Sequence, residues 1–157
     1  MPRRAGVRIK VLEADPIFKN RLITKLINRA MYDGKKSVAQ KEVYEAFELI
    51  KKDADPVKVF SDAMERVKPS MEVRARRIGG AAYQVPNPVR GPRKESLAIR
   101  WLINAARARS NSDFHTFAEK LAAELKDAAA GEGGAVKKKT DMERMAEANR
   151  AFAHFRW

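Results

Sequence analysis

Basic side chains are concentrated in one stretch of the sequence, residues 68–94. This stretch holds seven bases and a single acid, Glu72, whereas residues 42–66 hold seven acids and four bases. The seven bases are Lys68, Arg74, Arg76, Arg77, Arg90, Arg93 and Lys94. Guanidinium groups bind phosphate oxygens through paired hydrogen bonds and can stack on exposed bases. A single such arginine is more often simply solvated, but the crowding of like charges predicts a contact with nucleic acid.

A second candidate for phosphate binding is the run Gly34-Lys35-Lys36. Backbone N–H groups near the start of a helix, together with two cations, can hold a phosphate. The same residues also suit an ordinary turn between helices with two solvated lysines. The residues by themselves leave both interpretations open.

The sequence gives little support for a catalytic or metal-binding site. The two histidines, His115 and His154, are far apart and belong to no ligand or nucleophile motif, and there is no cysteine. The glycine pairs are not followed by the Lys-Ser/Thr ending of a phosphate-cradling loop. We therefore expect no catalytic residue, no metal site and no cofactor.

Composition limits the remaining classes. The 157 residues suit one domain, and with 45% hydrophobic and 34% charged residues the chain resembles a folded globular protein. The formal net charge of +13 favours a polyanionic partner. No stretch approaches the roughly 18 apolar residues of a membrane span, and no apolar signal segment follows the first arginines. We expect a cytoplasmic protein that does not bind membranes.

Apolar residues recur at helical spacing in five stretches, and a sixth helix is expected after them from good helix-forming residues with an irregular apolar pattern. The first begins near Asn20 and ends at Asp33-Gly34. The second is predicted to start with Ser37 as its cap and to end near Lys52. The third helix is predicted to begin at Asp55-Pro56. The fourth is expected after a linker that contains Pro86, Pro88, Gly91 and Pro92, and the fifth is predicted to have Asp113 as its cap. The sixth is expected after a break in the chain at Gly131, Gly133 and Gly134.

Between the third and fourth helices, residues 71–86 favour a two-stranded hairpin. β-compatible residues flank Gly79-Gly80, which can take the positive φ of a tight turn. Arg74 and Arg76 would share one face of the first strand and Arg77 the other. One hairpin alone is marginally stable, so it must pack on the helices or on a partner.

The pattern as a whole predicts a mainly α fold. We expect a six-helix single domain over residues 1–157, with one protruding two-stranded antiparallel β-hairpin between helices three and four. Residues 1–15 would form a basic N-terminal arm, residues 70–90 the hairpin arm, and residues 148–157 a C-terminal tail.

The aromatic residues divide into two groups by position. One group fits helical stripes and is predicted to lie in the core. It comprises Phe18, Phe47, Phe60, Trp101, Phe114 and Phe117. The other group is Tyr83 on the hairpin and Phe152, Phe155 and Trp157 in the tail, which could stack on bases or dock into a neighbouring protein.

Three long stretches resemble the bacterial small-subunit ribosomal protein seven family. They are residues 20–36 (NRLITKLINRAMYDGKK), 68–86 (KPSMEVRARRIGGAAYQVP) and 133–157 (GGAVKKKTDMERMAEANRAFAHFRW). The resemblance implies a non-enzymatic protein of the ribosome that binds the 3′ major domain of small-subunit ribosomal RNA and nucleates assembly of the subunit head. It also implies a position near the exit site for transfer RNA and the messenger path, with small-subunit ribosomal proteins nine and eleven as neighbours.

Carried over by position, the resemblance implies two groups of functional residues. The residues expected to bind ribosomal RNA are Arg3, Arg4, Lys10, Lys35, Lys36, Arg74, Arg76, Arg93 and Lys94. Those expected to face transfer RNA and messenger RNA are Arg77, Gly79, Gly80, Tyr83, Arg144 and Arg150.

Two further nucleic-acid-binding roles are compatible with a basic hairpin. An architectural DNA-binding protein could insert a hairpin into a minor groove, but such proteins usually build extended β-saddles for which this sequence lacks strands. Repression of its own messenger would be an added role, and competition by ribosomal RNA would reveal it. An enzyme is the class that the sequence supports least.

Overall fold

The fold of residues 12–155, which are the residues that the computed structural model describes, is mainly helical. The elements are α1 (Arg21–Ala30), α2 (Lys36–Lys51), α3 (Pro56–Val67), β1 (Met71–Ile78), β2 (Ala81–Pro88), α4 (Gly91–Ala108), α5 (Phe117–Ala130), α6 (Gly133–Ala148) and a final 3₁₀ helix (Arg150–Phe155). β1 and β2 form one antiparallel hairpin between α3 and α4. This confirms the predicted six α-helices with an inserted hairpin. Arg3, Arg4, Lys10 and Trp157 lie outside the described residues.

The helix starts agree with the sequence at α3 but not at α2 or α5. Asp55 caps α3 by accepting the N–H of Val57, with Pro56 in the first turn, as predicted. Ser37 does not cap α2, which begins one residue earlier, after Lys35, and has no side-chain cap.

Asp113 does not cap α5 either. Thr116 does so, because its hydroxyl accepts the N–H of Glu119 while the Glu119 carboxylate accepts the N–H of Thr116, and this reciprocal pair satisfies two amides that the helix leaves open. Phe114 therefore lies before α5 and is half-buried, so its predicted place on the core stripe of that helix was wrong.

Glycine and proline mark different boundaries from those predicted. The expected linker is short, since Pro86 and Pro88 belong to β2 while Gly91 and Pro92 open α4. Proline is tolerated in both places, because a strand at a sheet edge and the first turn of a helix can lack an N–H donor. Likewise Gly131 ends α5 in the left-handed conformation, but α6 already begins at Gly133.

The core lies around α5, which contacts α2, α3, α4 and α6. Its Leu121 and Leu125 are fully buried together with Phe47 of α2 and Phe60 of α3. Trp101 is also buried, and Phe18 and Phe117 are partly buried against this core. The helical stripes therefore predicted most of the buried aromatic residues.

One buried carboxylate joins three helices. Glu124 of α5 is 1% exposed and accepts hydrogen bonds from Arg109, at the end of α4, at 2.9 and 2.6 Å. Its other oxygen accepts the N–H of Ala135, in the first turn of α6, at 2.9 Å. Arg109 also pairs with Asp127. A buried carboxylate is stable only when it is paired in this way.

The Glu124 contacts lead to a test of stability. Glu124→Ala should lower the free energy of unfolding by about 3–5 kcal/mol, because it leaves Arg109 and the Ala135 N–H without their buried acceptor. Asp127→Ala, which removes a half-exposed partner of the same arginine, should cost about 1 kcal/mol or less. Urea unfolding followed by circular dichroism measures both. Equal losses in the two variants would contradict the assigned role of Glu124.

Candidate nucleic-acid interface

The hairpin presents its arginines on a defined face. In the strand register Glu72 is opposite Asn87, Arg74 opposite Val85, and Arg76 opposite Tyr83. Because side chains alternate along a strand, these residues share one face and Arg77 lies on the other. The turn between the strands is made by Gly79 and Gly80, whose φ angles of 57° and 91° favour glycine.

Glu72 organises this face. It is 5% exposed, and each of its carboxylate oxygens accepts hydrogen bonds from a different arginine. Oε1 accepts from Nε of Arg74 at 2.5 Å, and Oε2 accepts from Nε of Arg93 at 3.1 Å and forms an ion pair with Nη2 of Arg93, also at 3.1 Å. The side chains of Arg74 and Arg93 stay 58% and 44% exposed. Glu72 thus holds Arg74 of β1 beside Arg93 of α4, and both guanidinium groups remain accessible to solvent.

The space in front of Glu72 is an open groove of about 480 Å³, which we call the basic groove. Four arginines line it, Arg74 and Arg76 from β1 and Arg90 and Arg93 from the start of α4, together with Asn87, Pro88 and Val89. With one acid among four cations, the groove matches the phosphate backbone of a nucleic acid in charge. Lys94 follows Arg93 on α4 and is half-buried.

The base of the hairpin is anchored to α6. Ser70 donates from its backbone N–H and its hydroxyl to Oε1 of Glu143, at 2.9 and 2.7 Å. Burial raises the pKa of Glu143, but the two hydrogen bonds from Ser70 outweigh that effect and leave the pKa below its ordinary value. The carboxylate is therefore charged at neutral pH and holds the residue that precedes β1.

The tail supports the hairpin through an aromatic cluster of Tyr83, Phe152 and Phe155. The Tyr83 ring lies 5.3 Å from Phe152 and 5.4 Å from Phe155 between ring centres, within the range of favourable ring contacts. The sequence predicts that these aromatic residues stack on bases or dock into a neighbouring protein, and in the structure their rings pack on one another. The hairpin, α6 and the 3₁₀ helix therefore contact one another.

The other predicted residues are dispersed over the molecule. Lys35 and Lys36 are exposed at the turn into α2, away from the hairpin in sequence and in element contacts. Arg144 and Arg150 are exposed on α6 and the 3₁₀ helix, where they pair with Asp141 at 3.9 Å and Glu147 at 3.2 Å. The structure thus brings Arg74, Arg76 and Arg93 together but leaves Lys35 and Lys36 as a separate basic site.

Sequence reasoning missed two contributors to the basic groove. From the sequence, Glu72 is only the one acid among the bases of residues 68–94, and Arg90 is one of those bases with no predicted role at the site, whereas both line the basic groove. The available signal was the position of Glu72, two residues before Arg74 and therefore on the same face of the strand.

The described residues show neither a membrane-spanning helix nor a metal cluster. No helix between residues 12 and 155 is long and apolar enough to cross a bilayer. In the same part of the chain, histidine and acidic residues form no group of three or more that could hold a metal ion.

A small helical domain that carries a basic β-hairpin and a basic groove has the architecture of a nucleic-acid-binding scaffold protein. The profile of the family described as ribosomal protein S7p/S5e matches residues 2–150. The chain is 57% identical to small ribosomal subunit protein uS7 of Moorella thermoacetica and 55% identical to that of Carboxydothermus hydrogenoformans, over the full length of each chain. It belongs to the ribosomal protein S7p/S5e family.

Family membership confirms the predicted resemblance and the protein class. The chain is a ribosomal protein of the small subunit and not an enzyme, since its relatives are named as ribosomal proteins. Its place is the ribosome, which is cytoplasmic in bacteria.

The aromatic cluster leads to a test of the coupling between tail and hairpin. Tyr83→Ala should release the 3₁₀ helix and raise hydrogen exchange of amides in residues 150–155 by about threefold to tenfold, because both ring contacts of Tyr83 are lost. Exchange is measured by mass spectrometry on the full chain. Phe155→Ala should give the same change, whereas Tyr32→Ala, at the α1–α2 turn, should give none. Unchanged exchange in Tyr83→Ala would show that the tail is held elsewhere.

Proposed function

We propose that the protein is a primary binder of ribosomal RNA that holds the 3′ major domain of small-subunit ribosomal RNA and nucleates assembly of the subunit head. The observation that carries this proposal is the basic groove, in which Glu72 fixes two of four arginines. The family of the chain supports RNA as the polyanion.

Recognition in this groove depends on phosphate placement and RNA shape. Arginine forks bind phosphates in pairs of hydrogen bonds, and A-form RNA offers few base edges that side chains can reach in its deep groove. Arg76 and Lys94 extend the surface on either side of Arg74 and Arg93. Arg3, Arg4 and Lys10, with Lys35 and Lys36, are proposed to contact further segments of the same RNA.

The turn end of the hairpin, together with α6 and the tail, is proposed to face transfer RNA and messenger RNA at the exit site. The residues proposed for this surface are Arg77, Gly79, Gly80, Tyr83, Arg144 and Arg150. The contact of Tyr83 with Phe152 and Phe155 supports the idea, because it fixes the tail relative to the basic groove. Small-subunit ribosomal proteins nine and eleven are proposed as protein neighbours.

The test is a titration of the purified protein with the isolated 3′ major domain RNA and with duplex DNA of equal length, at several salt concentrations. RNA should bind about a hundredfold or more tightly than DNA, with a steep dependence on salt. Arg74→Ala/Arg76→Ala should weaken RNA binding about tenfold or more and reduce the salt slope by roughly one to two units, because phosphate contacts are lost.

A matched control removes two charges elsewhere. Lys51→Ala/Lys58→Ala removes two exposed cations from α2 and α3, within the acidic residues 42–66. This variant should leave both the RNA affinity and its salt slope nearly unchanged. Equal binding of RNA and DNA, or equal effects of the two double variants, would contradict the proposal and indicate a non-specific polyanion binder.

A further inference from the structure

We propose that a groove at the turn between α1 and α2 binds a single unpaired nucleobase of RNA by stacking it on Tyr32. The groove has a volume of about 400 Å³ and contains Ala30, Tyr32, Lys35, Val38, Ala39, Glu42, Arg107 and Phe117. We call it the Tyr32 groove. The inference rests on the proposed RNA-binding function but concerns a separate site from the basic groove.

The turn sets Tyr32 and Lys35 beside each other. The N–H of Lys35 donates to the carbonyl of Tyr32 at 2.9 Å, and the two residues between them have positive φ, 50° at Asp33 and 74° at Gly34. The turn is closed by this hydrogen bond. It places an aromatic ring and an ammonium group along one groove.

Arg107 of α4 holds the ring in position. Its guanidinium carbon lies 3.9 Å from the centre of the Tyr32 ring, and Nη2 donates to the carbonyl of Ala30 at 2.9 Å. A cation over one face is a favourable contact for an aromatic ring. Tyr32 is nevertheless 65% exposed, so that much of the ring remains accessible. The protein thus presents a supported ring to solvent.

The rest of the groove suits the shape and chemistry of a base. Val38 is 55% exposed, and Ala30, Ala39 and Phe117 supply further apolar surface. Glu42 lies at the groove and accepts the N–H of Ala118 at 3.2 Å. A carboxylate in this position can also accept an N–H from the amino group of a base. Apolar surface beside one hydrogen-bond acceptor is an arrangement that can recognise an unstacked base.

Charge favours a nucleotide over an apolar protein segment as the occupant. Lys35 and Arg107 border the groove, and Lys36 follows at the start of α2, so that phosphates on either side of a bound base would meet cations. Aromatic stacking with nearby cations is the usual combination in proteins that bind single-stranded nucleic acid.

The experiment compares full-length variants in binding to the 3′ major domain RNA and to a single-stranded RNA dodecamer, with a dodecamer duplex as reference. Tyr32→Ala should weaken binding of the domain RNA and of the single strand about tenfold, because one stacked base is lost. Its salt slope should not change, since no cation is removed. Tyr32→Phe retains the ring and should bind within about twofold of the wild type. Duplex binding should be the same for all three proteins.

The outcomes separate this site from the proposed function. If Tyr32→Ala binds RNA like the wild type while Arg74→Ala/Arg76→Ala is weakened, the nucleobase site is wrong, the function stands, and a protein segment becomes the expected occupant. Equal losses in Tyr32→Ala and Tyr32→Phe, or a reduced salt slope in Tyr32→Ala, would also overturn the stacking role. If the wild-type protein does not prefer RNA, both proposals fall. Thermal unfolding of each variant checks that the fold is retained.

Discussion

The pairing of one buried carboxylate with two arginines is the interaction on which the basic groove depends. Four arginines in one groove repel one another, and a buried carboxylate without partners would be strongly unfavourable. Glu72 resolves both problems, because each oxygen accepts from one guanidinium while both arginines stay about half exposed. Side chains that are already ordered lose less conformational entropy on binding. The groove is therefore arranged for phosphate before any nucleic acid arrives.

A two-stranded hairpin cannot hold such a groove by itself, and the surrounding helices supply the stability that it lacks. Ser70 ties the start of β1 to Glu143 of α6, and Tyr83 of β2 packs on the rings of the 3₁₀ helix. α6 is in turn fixed to the core through the Ala135 N–H and Glu124. A continuous series of contacts thus connects the basic groove to the centre of the helical body. This is the mechanical arrangement expected of a scaffold.

Most of the correct sequence-based predictions of helices and of the basic site came from the helical spacing of apolar residues and from the local density of charge. The helical stripe that includes Phe117 identified α5, but the predicted start of this helix was wrong, because the open amides of its first turn are capped by Thr116 and not by Asp113. Arg74 and Arg76 could be selected from the sequence, since strand periodicity places them on one face. The same periodicity places Glu72 beside Arg74, but its second contact, with Arg93, could not be predicted because Arg93 belongs to α4. The Tyr32 groove was hidden for the same reason, since Arg107 and Phe117 come from distant helices.

The role of Glu72 is tested by the affinity of Glu72→Gln for the 3′ major domain RNA at fixed salt. This substitution raises the net charge by one, so attraction by charge alone would strengthen RNA binding. Preorganisation of Arg74 and Arg93 by Glu72 predicts the opposite, an affinity about fivefold to tenfold weaker, since a neutral amide cannot accept from both guanidinium groups as the carboxylate does. Glu65→Gln, an exposed site on α3, makes the same change in charge away from the groove and should bind no more weakly than the wild type. Weaker RNA binding by Glu72→Gln alone would support preorganisation of the two arginines by Glu72, and RNA binding equal to or tighter than that of the wild type would contradict it.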